Sequence, residues 1–370
     1  MTDCIIAGCD LHDRSMLVKW SVGRGASKRR SFGNTAAGRE RMIRMLQDAA
    51  QAANTDRIVF GYEASCLGYG LYDELRSSGI ECHVLAPSCM ARSPRHTRTK
   101  TDEKDADGIL DVLRAHVLAG AKLPAVWVPD ERTRQDRRIV RRRLVVGEQV
   151  GRVKTRITDL LKACGARRPE GVERWSLADR SWLAGLSGEQ LGEGAQMVLA
   201  SLLRELAFCE EELRLQERNV RALSRQKRYG AARAELMKLK GVGILTAMVF
   251  LTEMGDLSRF ANRRQIGAYL GLAPTSHESG EASDRKGHIT KQGSSRVRKV
   301  LCQAAWALLG HDPVETAVHA RIMRASPKRK KTATVALMRR LAVRMWHVGR
   351  AAQASGGCFA PPSEAVACGP

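Results

Sequence analysis

Four carboxylates occupy positions from which they could bind a metal ion together. Asp10 ends the short apolar run CIIAGCD, and Glu63 ends a second run, RIVFGYE, so both acidic side chains fall at predicted strand ends. Asp102 and Asp105 lie three residues apart at the start of TDEKDADGILDVLRAHVL, and residues at this spacing share one face of a helix. If the strands are neighbours and the helix packs against their ends, the four groups converge.

Such a group of carboxylates would repel one another strongly unless a shared proton or bound cations offset their charge. Oxygen ligands without a softer partner suit Mg²⁺. Two Mg²⁺ ions roughly 3.5 to 4 Å apart can activate the attacking oxygen and stabilise the leaving oxygen of a phosphodiester. The pattern therefore predicts two Mg²⁺ ions as cofactor, with the four carboxylates as ligands.

The spacing alone leaves alternatives open. Acidic residues in a first turn also suit the helix dipole, so this stretch can be read as a solvated helix start. Asp13 is an equally polar neighbour of Asp10, and Asp107 could replace either helix carboxylate.

Basic side chains accompany the acidic ones, as a site that cuts a polyanion would require. Those expected to hold phosphates just before the helix are Arg92, Arg95, Arg98 and Lys100. The arginine-dense stretch RTRQDRRIVRRRL, which carries too much charge for a buried helix, adds Arg138, Arg141 and Arg142.

Positive charge extends over the whole chain of 370 residues, with 62 Lys+Arg against 39 Asp+Glu and a formal net charge of +23. A polyanionic partner is the first inference, and nucleic acid is favoured over an acidic membrane surface. No apolar run approaches the roughly 18 residues of a spanning helix, and the N-terminus lacks the layout of a signal peptide. The ten cysteines contain no zinc-type spacing, which predicts reduced thiols in a cytosolic protein.

The elements that must position the carboxylates form a mixed α/β domain over residues 1–128. CIIAGCD and RSMLVKWSV, only three residues apart, predict an antiparallel hairpin. NTAAGRERMIRMLQDAAQAA predicts a helix capped by Asn34, GLYDELRSSGI a helix that ends near Gly79, and ECHVLAP a strand. The helix that follows is expected to bury Ile109, Leu110, Leu113 and Val117.

A basic linker and a coiled-coil region are predicted over residues 129–230. Two apolar seams alternate spacings of three and four, which is typical of heptads. The first comprises Val146, Val150, Val153, Ile157, Leu160 and Cys164, and the second Leu199, Leu202, Leu206, Cys209, Leu213, Gln216, Val220 and Leu223. An antiparallel helical hairpin, a subunit interface, and two ordinary amphipathic helices on a core are the alternatives.

A mostly helical domain is predicted over residues 231–352, followed by a disordered tail over 353–370. LKGVGILTA has the form of a helix-hairpin-helix turn, in which Gly241 and Gly243 would let backbone N–H groups approach a phosphate; a plain glycine-containing connection is the alternative. A loop-rich insert supplies further basic candidates, Lys291, Arg296 and Arg298. It also contains several serines that could act as a nucleophile, Ser276, Ser279, Ser283, Ser294 and Ser295.

Two long blocks of this sequence resemble those of the DEDD-type insertion-sequence transposases. GCDLHD, GYEAS and RHTRTKTDEKDADGILDVLR resemble the N-terminal blocks of that family, and the stretch from GVGILTAMVF to VRKVLCQAAWAL resembles its C-terminal transposase domain. The blocks cover roughly residues 4–118 and 235–350 in the family's order, with the coiled-coil-like middle between them.

The resemblance implies that the first domain has the ribonuclease-H-like fold of the Holliday-junction resolvase RuvC, with Asp10, Glu63, Asp102 and Asp105 as its Mg²⁺-binding tetrad. It implies a catalytic serine, placed at Ser279 of HESG, that attacks DNA and forms a phosphoserine link in a site shared between subunits. It further implies double-stranded donor and target DNA, a structured non-coding bridge RNA as guide, a homodimer or homotetramer, and a cytoplasmic, nucleoid-associated bacterial protein.

Two other functions remain open from the sequence. One is a junction-resolving endonuclease that uses only the metal tetrad and water. The other is a non-catalytic nucleic-acid scaffold whose carboxylates are structural.

Overall fold

The computed structural model describes residues 4–87, 102–276, 286–324 and 326–356. The chain divides into two compact units, the first ending at Val128 and the second beginning at Pro129. The first unit combines a sheet with helices, and the second consists almost entirely of helices. None of the helices in the described part of the chain combines the length and apolar composition that crossing a membrane requires.

A five-stranded mixed sheet lies at the centre of the first unit. Its strands are β1 (Ile5–Leu11), β2 (Ser15–Val22), β3 (Lys28–Gly33), β4 (Ile58–Glu63) and β5 (Glu81–Leu85). Their spatial order is β3-β2-β1-β4-β5; the pairs on the β3 side of β1 are antiparallel and those on the β5 side are parallel. The predicted hairpin and the mixed sheet are confirmed, and the arrangement is compatible with a ribonuclease-H-like α/β fold.

Strand β3 has no counterpart among the predicted elements. Its sequence, KRRSFG, shows no apolar alternation, and Phe32 is its one buried residue. The strand lies at the edge of the sheet, where backbone pairing with β2 replaces a hydrophobic pattern. Charged side chains on such an edge also disfavour pairing with another chain.

Helices α1 (Ala36–Ala52), α2 (Gly70–Ser77) and α3 (Asp102–Ala119) cover the two faces of this sheet. Side chains alternate between faces along a strand, so Ile5 and Ala7 share a core with α1 and α2, whereas Ile6 packs against α3. Helix α3 buries three of the four predicted residues, and the fourth, Val117, is partly buried.

The cap predicted for α1 is wrong by one residue. The N-cap is Thr35, whose hydroxyl accepts a hydrogen bond from the Gly38 amide at 3.1 Å. Asn34 instead donates from Nδ2 to the carbonyl of His12 at 2.8 Å. Both residue types are good caps, and the tertiary hydrogen bond to His12 determines which one caps the helix.

The second unit contains ten described α-helices, a short 3₁₀ helix (Pro327–Arg329) and one short antiparallel strand pair. The helices are α4 (Glu131–Ala163), α5 (Leu177–Gly185), α6 (Gly188–Leu191), α7 (Glu193–Ser224), α8 (Lys227–Met237), α9 (Ile244–Met254), α10 (Arg263–Tyr269), α11 (Ser295–Leu309), α12 (Pro313–Met323) and α13 (Lys330–Gly356). The strands are β6 (Pro274–Ser276) and β7 (Lys286–Ile289).

Helices α4 and α7 form an antiparallel hairpin along the predicted seams. Arg143 pairs with Glu217 at 2.6 Å and Arg156 with Glu205 at 3.3 Å. Residue numbers therefore increase along α4 while those of the partners on α7 decrease, as in an antiparallel pair. The apolar seam between them is buried, although near the end of α4 the most buried side chain is Leu161 and not the predicted Leu160. The coiled-coil character of the pair and its use as a subunit interface stay predictions.

The arginine-dense stretch is part of α4 and has a buried face, contrary to the expectation from its charge. Thr133, Asp136, Val140 and Leu144 are all buried there. Val140 and Leu144 belong to a hydrophobic core that also contains residues of α9, α11 and α13. A single core therefore includes residues on both sides of the predicted boundary at residue 230. Helix α13 extends to Gly356, past the predicted boundary at 352, and residues 357–370 lie outside the described part.

Candidate metal centre

Asp10 and Glu63 lie at the carboxyl-terminal ends of two neighbouring parallel strands. Strands β1 and β4 are parallel, and Cys9 lies opposite Tyr62 in their register. Asp10 and Glu63 are the next residues of the two strands, so their side chains leave adjacent strand ends on one face of the sheet. Both residues are partly buried.

Two glycines allow α3 to pack closely on that face. Gly8 and Gly61 lie opposite each other, each two residues before a strand-end carboxylate. A Cβ on Gly8 would lie 2.6 Å from the Leu110 nitrogen and 2.8 Å from the Ala106 carbonyl oxygen. A Cβ on Gly61 would lie 2.9 Å from Cδ1 of Leu113. Since side chains alternate between faces, the strand-end carboxylates lie on the face that α3 covers.

The first turn of α3 brings its acidic residues to Asp10. Nε2 of His12 lies 3.0 Å from Oδ2 of Asp10 and 3.5 Å from Oδ1 of Asp102. One possible ligand atom from each of these three residues lies within 4.8 Å of the others. Asp105 is close enough to Asp10 to act on its charge. The structure thus brings together two of the predicted acids, Asp10 and Asp102, with Glu63 at the neighbouring strand end.

The electrostatics of Asp10 favour a cation. Burial raises the pKa of the Asp10 carboxyl, the hydrogen bond and charge of His12 lower it, and the charges of Asp102 and Asp105 raise it further. Crowded carboxylates of this kind are stabilised by a positive ion. The donor set of carboxylate oxygens, with one imidazole nitrogen, fits a divalent cation.

Ion pairs attach α3 to the sheet beside this cluster. Lys19 of β2, 7% exposed, donates from Nζ to Oδ2 of Asp107 at 2.7 Å and lies 3.3 Å from Oε1 of Glu103. Arg29 of β3 donates to the same Glu103 oxygen at 2.6 Å. Asp107 is therefore engaged with Lys19, and Asp13 is exposed.

A chain of hydrogen bonds supports the site from the side of α1 and α2. The His12 amide donates to the Ser15 carbonyl at 2.9 Å, and its carbonyl accepts from Asn34. Arg39 donates from Nε to Oδ1 of Asn34 at 3.0 Å and from Nη1 to Oε1 of Glu74 at 2.5 Å. The hairpin that carries His12 is thereby held in place.

Two family models match the chain. Residues 7–165 match the DEDD-type IS110 model, described as a transposase, and residues 233–320 match the model described as "Transposase IS116/IS110/IS902 family". The chain belongs to the IS110-type DEDD transposase family.

Curated relatives of this IS110-type chain are named as transposases. The proteins y4qE and y4rJ of Sinorhizobium fredii are 33% identical over 270 residues and 32% over 268, which is 73% and 68% of this chain. The alignments cover 62% and 65% of those proteins, so the chain spans less than two thirds of their length. The transposase for insertion sequence element IS1533 of Leptospira borgpetersenii is 24% identical over 245 residues, 66% of this chain and 69% of that protein.

Six of the residues predicted for this IS110-type chain lie outside the described part: Arg92, Arg95, Arg98, Lys100, Ser279 and Ser283. Strands β6 and β7 pair on either side of the sequence that contains Ser279. Among the competing serines, Ser294 is the N-cap of α11, where its hydroxyl accepts from the Val297 amide at 3.4 Å. That contact gives Ser294 a structural role.

The two glycines of the predicted helix-hairpin-helix differ in their surroundings. Gly241 has φ of 78°, and a Cβ there would lie 2.6 Å from the Ala304 carbonyl oxygen, so close packing on α11 requires glycine. Gly243 is the exposed N-cap of α9, and a Cβ there would meet no atom within 4 Å. Phosphate binding at this turn stays a prediction.

The basic candidates near α11 also differ. Lys291 and Arg296 are exposed. Arg298 donates from Nη1 to the carbonyls of Leu270, Gln292 and Gly293, at 3.1, 3.2 and 3.1 Å. Burial lowers the pKa of Arg298, and its hydrogen bonds give it a role in fixing the loop.

On α4, Arg138 is exposed, whereas the other two arginine candidates have carboxylate partners. Arg141 donates from Nε and Nη2 to Oε1 and Oε2 of buried Glu253, at 2.7 and 2.9 Å. Arg142 lies 3.4 Å from Glu212. Contact of these three arginines with nucleic acid stays a prediction.

An open groove of about 680 Å³ lies between α4 and α11. It is lined by Gly147, Glu148, Gly151, Arg152, Thr155, Arg156 and Lys299. Three of these side chains are basic and one is acidic. Sequence reasoning missed this groove, because its residues come together only when two distant helices pack.

Sequence reasoning also missed His12, and it predicted Asn34 only as a helix cap and not as a support for His12. The available signal was the spacing in DLHD: a residue two positions after Asp10 at a strand end projects on the same face. A lone histidine in a hairpin has no periodic pattern that would single it out.

Proposed function

We propose that this chain is a DNA transposase that excises and inserts a mobile element by Mg²⁺-dependent strand cleavage and exchange. The observation that carries the proposal is the meeting of Asp10 at a strand end with Asp102 at a helix start, in a chain of the IS110-type family. Asp105 is near enough to raise the pKa of Asp10. Glu63 at the adjacent strand end completes the proposed tetrad.

The tetrad would hold one or two Mg²⁺ ions through carboxylate oxygens. Bound Mg²⁺ supplies positive charge that activates an attacking oxygen and stabilises a leaving one. The packing of α3 on Gly8 and Gly61 holds the carboxylates in register, and the ion pairs of Lys19 keep α3 on the sheet. Ser279 is the proposed nucleophile, which would form a phosphoserine link with DNA.

The proposed partners are double-stranded donor and target DNA and a structured non-coding bridge RNA. The net charge of +23 supports polyanion binding. Exposed Arg138, Lys291 and Arg296, and the lining of the groove between α4 and α11, supply accessible positive charge. The arginines and lysine before α3, together with Gly243 at the N-terminus of α9, are further proposed phosphate contacts.

We assign residues 1–128 as the catalytic tetrad domain, 129–230 as the basic and coiled-coil region, and 231–352 as the transposase domain with the serine. The exposed apolar side chains Met197 and Phe208 on α7, 74% and 70% exposed, support association of copies through this helix as a homodimer or homotetramer. A cytoplasmic, nucleoid-associated location follows from the proposed DNA substrate.

The purified protein incubated with element-end DNA, the element's RNA and Mg²⁺ should yield a protein–DNA adduct that survives denaturation. Ser279→Ala should abolish the adduct, because no hydroxyl remains to attack phosphorus. Asp10→Asn should abolish cleavage, because the site loses a metal ligand. Asp13→Asn, at the exposed neighbouring carboxylate, is the matched control and should behave as the wild type.

Other products would contradict the proposal. Nicked DNA without an adduct would indicate a junction-resolving nuclease that uses metal-activated water. Absence of both products with every divalent metal tested would contradict both enzymatic functions and favour a nucleic-acid scaffold.

A further inference from the structure

His12 has its ring within reach of two of the proposed metal ligands. Its Nε2 atom lies 3.0 Å from Oδ2 of Asp10 and 3.5 Å from Oδ1 of Asp102. Among the described residues, these three form the group whose ligand atoms lie within 4.8 Å of one another. The His12 side chain is 50% exposed, so an ion can approach the ring from solvent.

These separations match neighbouring ligand atoms around one ion. Ligands about 2.1 Å from an octahedral ion lie about 3.0 Å apart along an edge of the octahedron. The distances from Nε2 to the two carboxylate oxygens are equal to this value and slightly above it. All three ligand atoms lie within 4.8 Å of one another, so Nε2 would be close to an ion that the two carboxylates hold.

The position of the ring is fixed by the backbone on both sides. The His12 amide donates to Ser15 across the hairpin, and its carbonyl accepts from Asn34, which Arg39 holds in turn. Metal ligands are commonly oriented by surrounding hydrogen bonds of this kind. Here the bonds orient the main chain and so present the ring to the carboxylates.

We infer that His12 supplies a nitrogen ligand to the divalent cation held by Asp10 and Asp102, so that the centre is a mixed nitrogen–oxygen site. The inference rests on the proposed metal-dependent function. It changes the expected metal preference, since imidazole suits transition metals such as Fe²⁺ and Zn²⁺, and Mn²⁺ accepts a nitrogen ligand more readily than Mg²⁺ does. The site accepts Mg²⁺ through its carboxylates and binds Mn²⁺ more tightly through the added nitrogen.

The test uses electron paramagnetic resonance to measure Mn²⁺ binding to the full-length protein without nucleic acid. Electron spin echo modulation reveals a ¹⁴N nucleus bonded to Mn²⁺. Wild type should show this coupling, and His12→Gln should lose it while keeping an amide of similar reach. Mn²⁺ affinity should fall on the order of tenfold or more, because even partners that only orient a ligand are worth roughly 10–100-fold. Mg²⁺ affinity should fall less.

His116→Gln is the matched control. His116 lies on the same unit, and its Nδ1 atom contacts the Ala121 carbonyl at 2.7 Å, away from the cluster. This variant should keep both the ¹⁴N coupling and the Mn²⁺ affinity.

Suppose that wild type binds Mn²⁺ without ¹⁴N coupling and that Asp10→Asn loses the binding. This result would overturn the role of His12 and leave the proposed metal site intact. Coupling that persists in His12→Gln would also overturn it. Absence of saturable Mn²⁺ and Mg²⁺ binding by wild type would overturn the metal site itself, and the inference with it.

Discussion

Gly8 illustrates how a residue without a side chain determines where the carboxylates of the proposed tetrad lie. The Ala106 carbonyl and the Leu110 amide occupy the space into which a Cβ would project. These are backbone atoms of α3 and cannot move without moving the helix. Since Asp102 and Asp105 belong to the first turn of that helix, their distance from Asp10 depends on the absence of a methyl group.

Gly8→Ala should displace α3 and weaken metal binding at the proposed centre. We expect a loss of about 1–3 kcal/mol in the free energy of unfolding, as for other overpacked positions, and weaker Mn²⁺ binding. Gly108→Ala on the same helix is the control, because no neighbouring atom lies within 4 Å of the added Cβ; it should stabilise by up to about 1 kcal/mol. Wild-type stability and Mn²⁺ affinity in Gly8→Ala would contradict the close-packing role.

At the scale of elements, α4 supports the end of the buried helix α9. Arg137 donates from Nε to the Thr252 carbonyl at 2.6 Å and from Nη2 to the Glu253 carbonyl at 2.8 Å, where a helix leaves carbonyls without partners. Burial alone would raise the pKa of Glu253, but the hydrogen bonds and charge of Arg141 outweigh it, and the pKa is lowered. An arginine-rich segment thus serves packing as well as charge.

Arg141→Met should destabilise the second unit by about 3 kcal/mol, because it leaves the Glu253 carboxylate buried without its partner. Chemical denaturation measures this loss. Arg138→Met, at an exposed position on the same helix, should change stability by no more than about 0.5 kcal/mol. Unchanged stability in Arg141→Met, together with weaker nucleic-acid binding, would show that Arg141 acts on the ligand and not on the fold.

Strand β5 carries an acid-sensitive contact. The hydrogen bond from His83 lowers the pKa of Glu81 from 4.5 to about 2, with further contributions from Arg57. A lowered pKa in the folded state stabilises above the unfolded value and is lost as pH falls toward the folded value. Glu81→Gln should therefore be less stable than wild type near pH 6, by less than about 1 kcal/mol because the site is partly solvated.

The stability difference between Glu81→Gln and wild type should shrink as the pH falls from about 4.5 to about 2. Urea unfolding of both proteins at several pH values measures it. A difference that stays constant over this range would contradict the contribution of the Glu81 carboxylate.

For the whole molecule, the net charge of +23 predicts nucleic-acid binding that depends steeply on salt. With six or more phosphate contacts, the affinity should fall about 10³-fold or more between roughly 50 and 200 mM salt. Fluorescence anisotropy with labelled DNA measures the slope. A flat response would contradict binding through phosphates.

Arg152→Gln tests whether the groove between α4 and α11 takes part. Loss of one phosphate contact should reduce the salt slope by about one. Lys162→Gln is the control, because Lys162 is an exposed cation on the same helix that does not line the groove. Equal slopes for the two variants would place the contact elsewhere.

The parts of the fold that could be predicted from the sequence are those with a repeating apolar pattern. The apolar runs of β1 and β4 placed Asp10 and Glu63 at strand ends, and the seam residue Val153 placed α4 against α7. Strand β3 was missed because pairing with β2, and not apolar alternation, holds it in the sheet.

The candidate site shows the same division. The three-residue spacing of Asp102 and Asp105 indicated a shared helix face, and the structure places Asp102 of that pair near Asp10. His12 could not be singled out, because its position depends on the hairpin contact with Ser15 and on a hydrogen bond from Asn34, which is distant in the sequence. Tertiary hydrogen bonds of this kind leave no periodic trace in the sequence.

The close packing at Gly8 and Gly61 matters when copies of this gene are compared. Under the proposed function, the four carboxylates are the first residues to compare between copies. A copy that keeps all four but carries a larger residue at Gly8 would place backbone atoms of α3 in conflict with the new side chain. If the proposed tetrad is the active site, such a copy should be inactive because of a position that binds neither metal nor DNA.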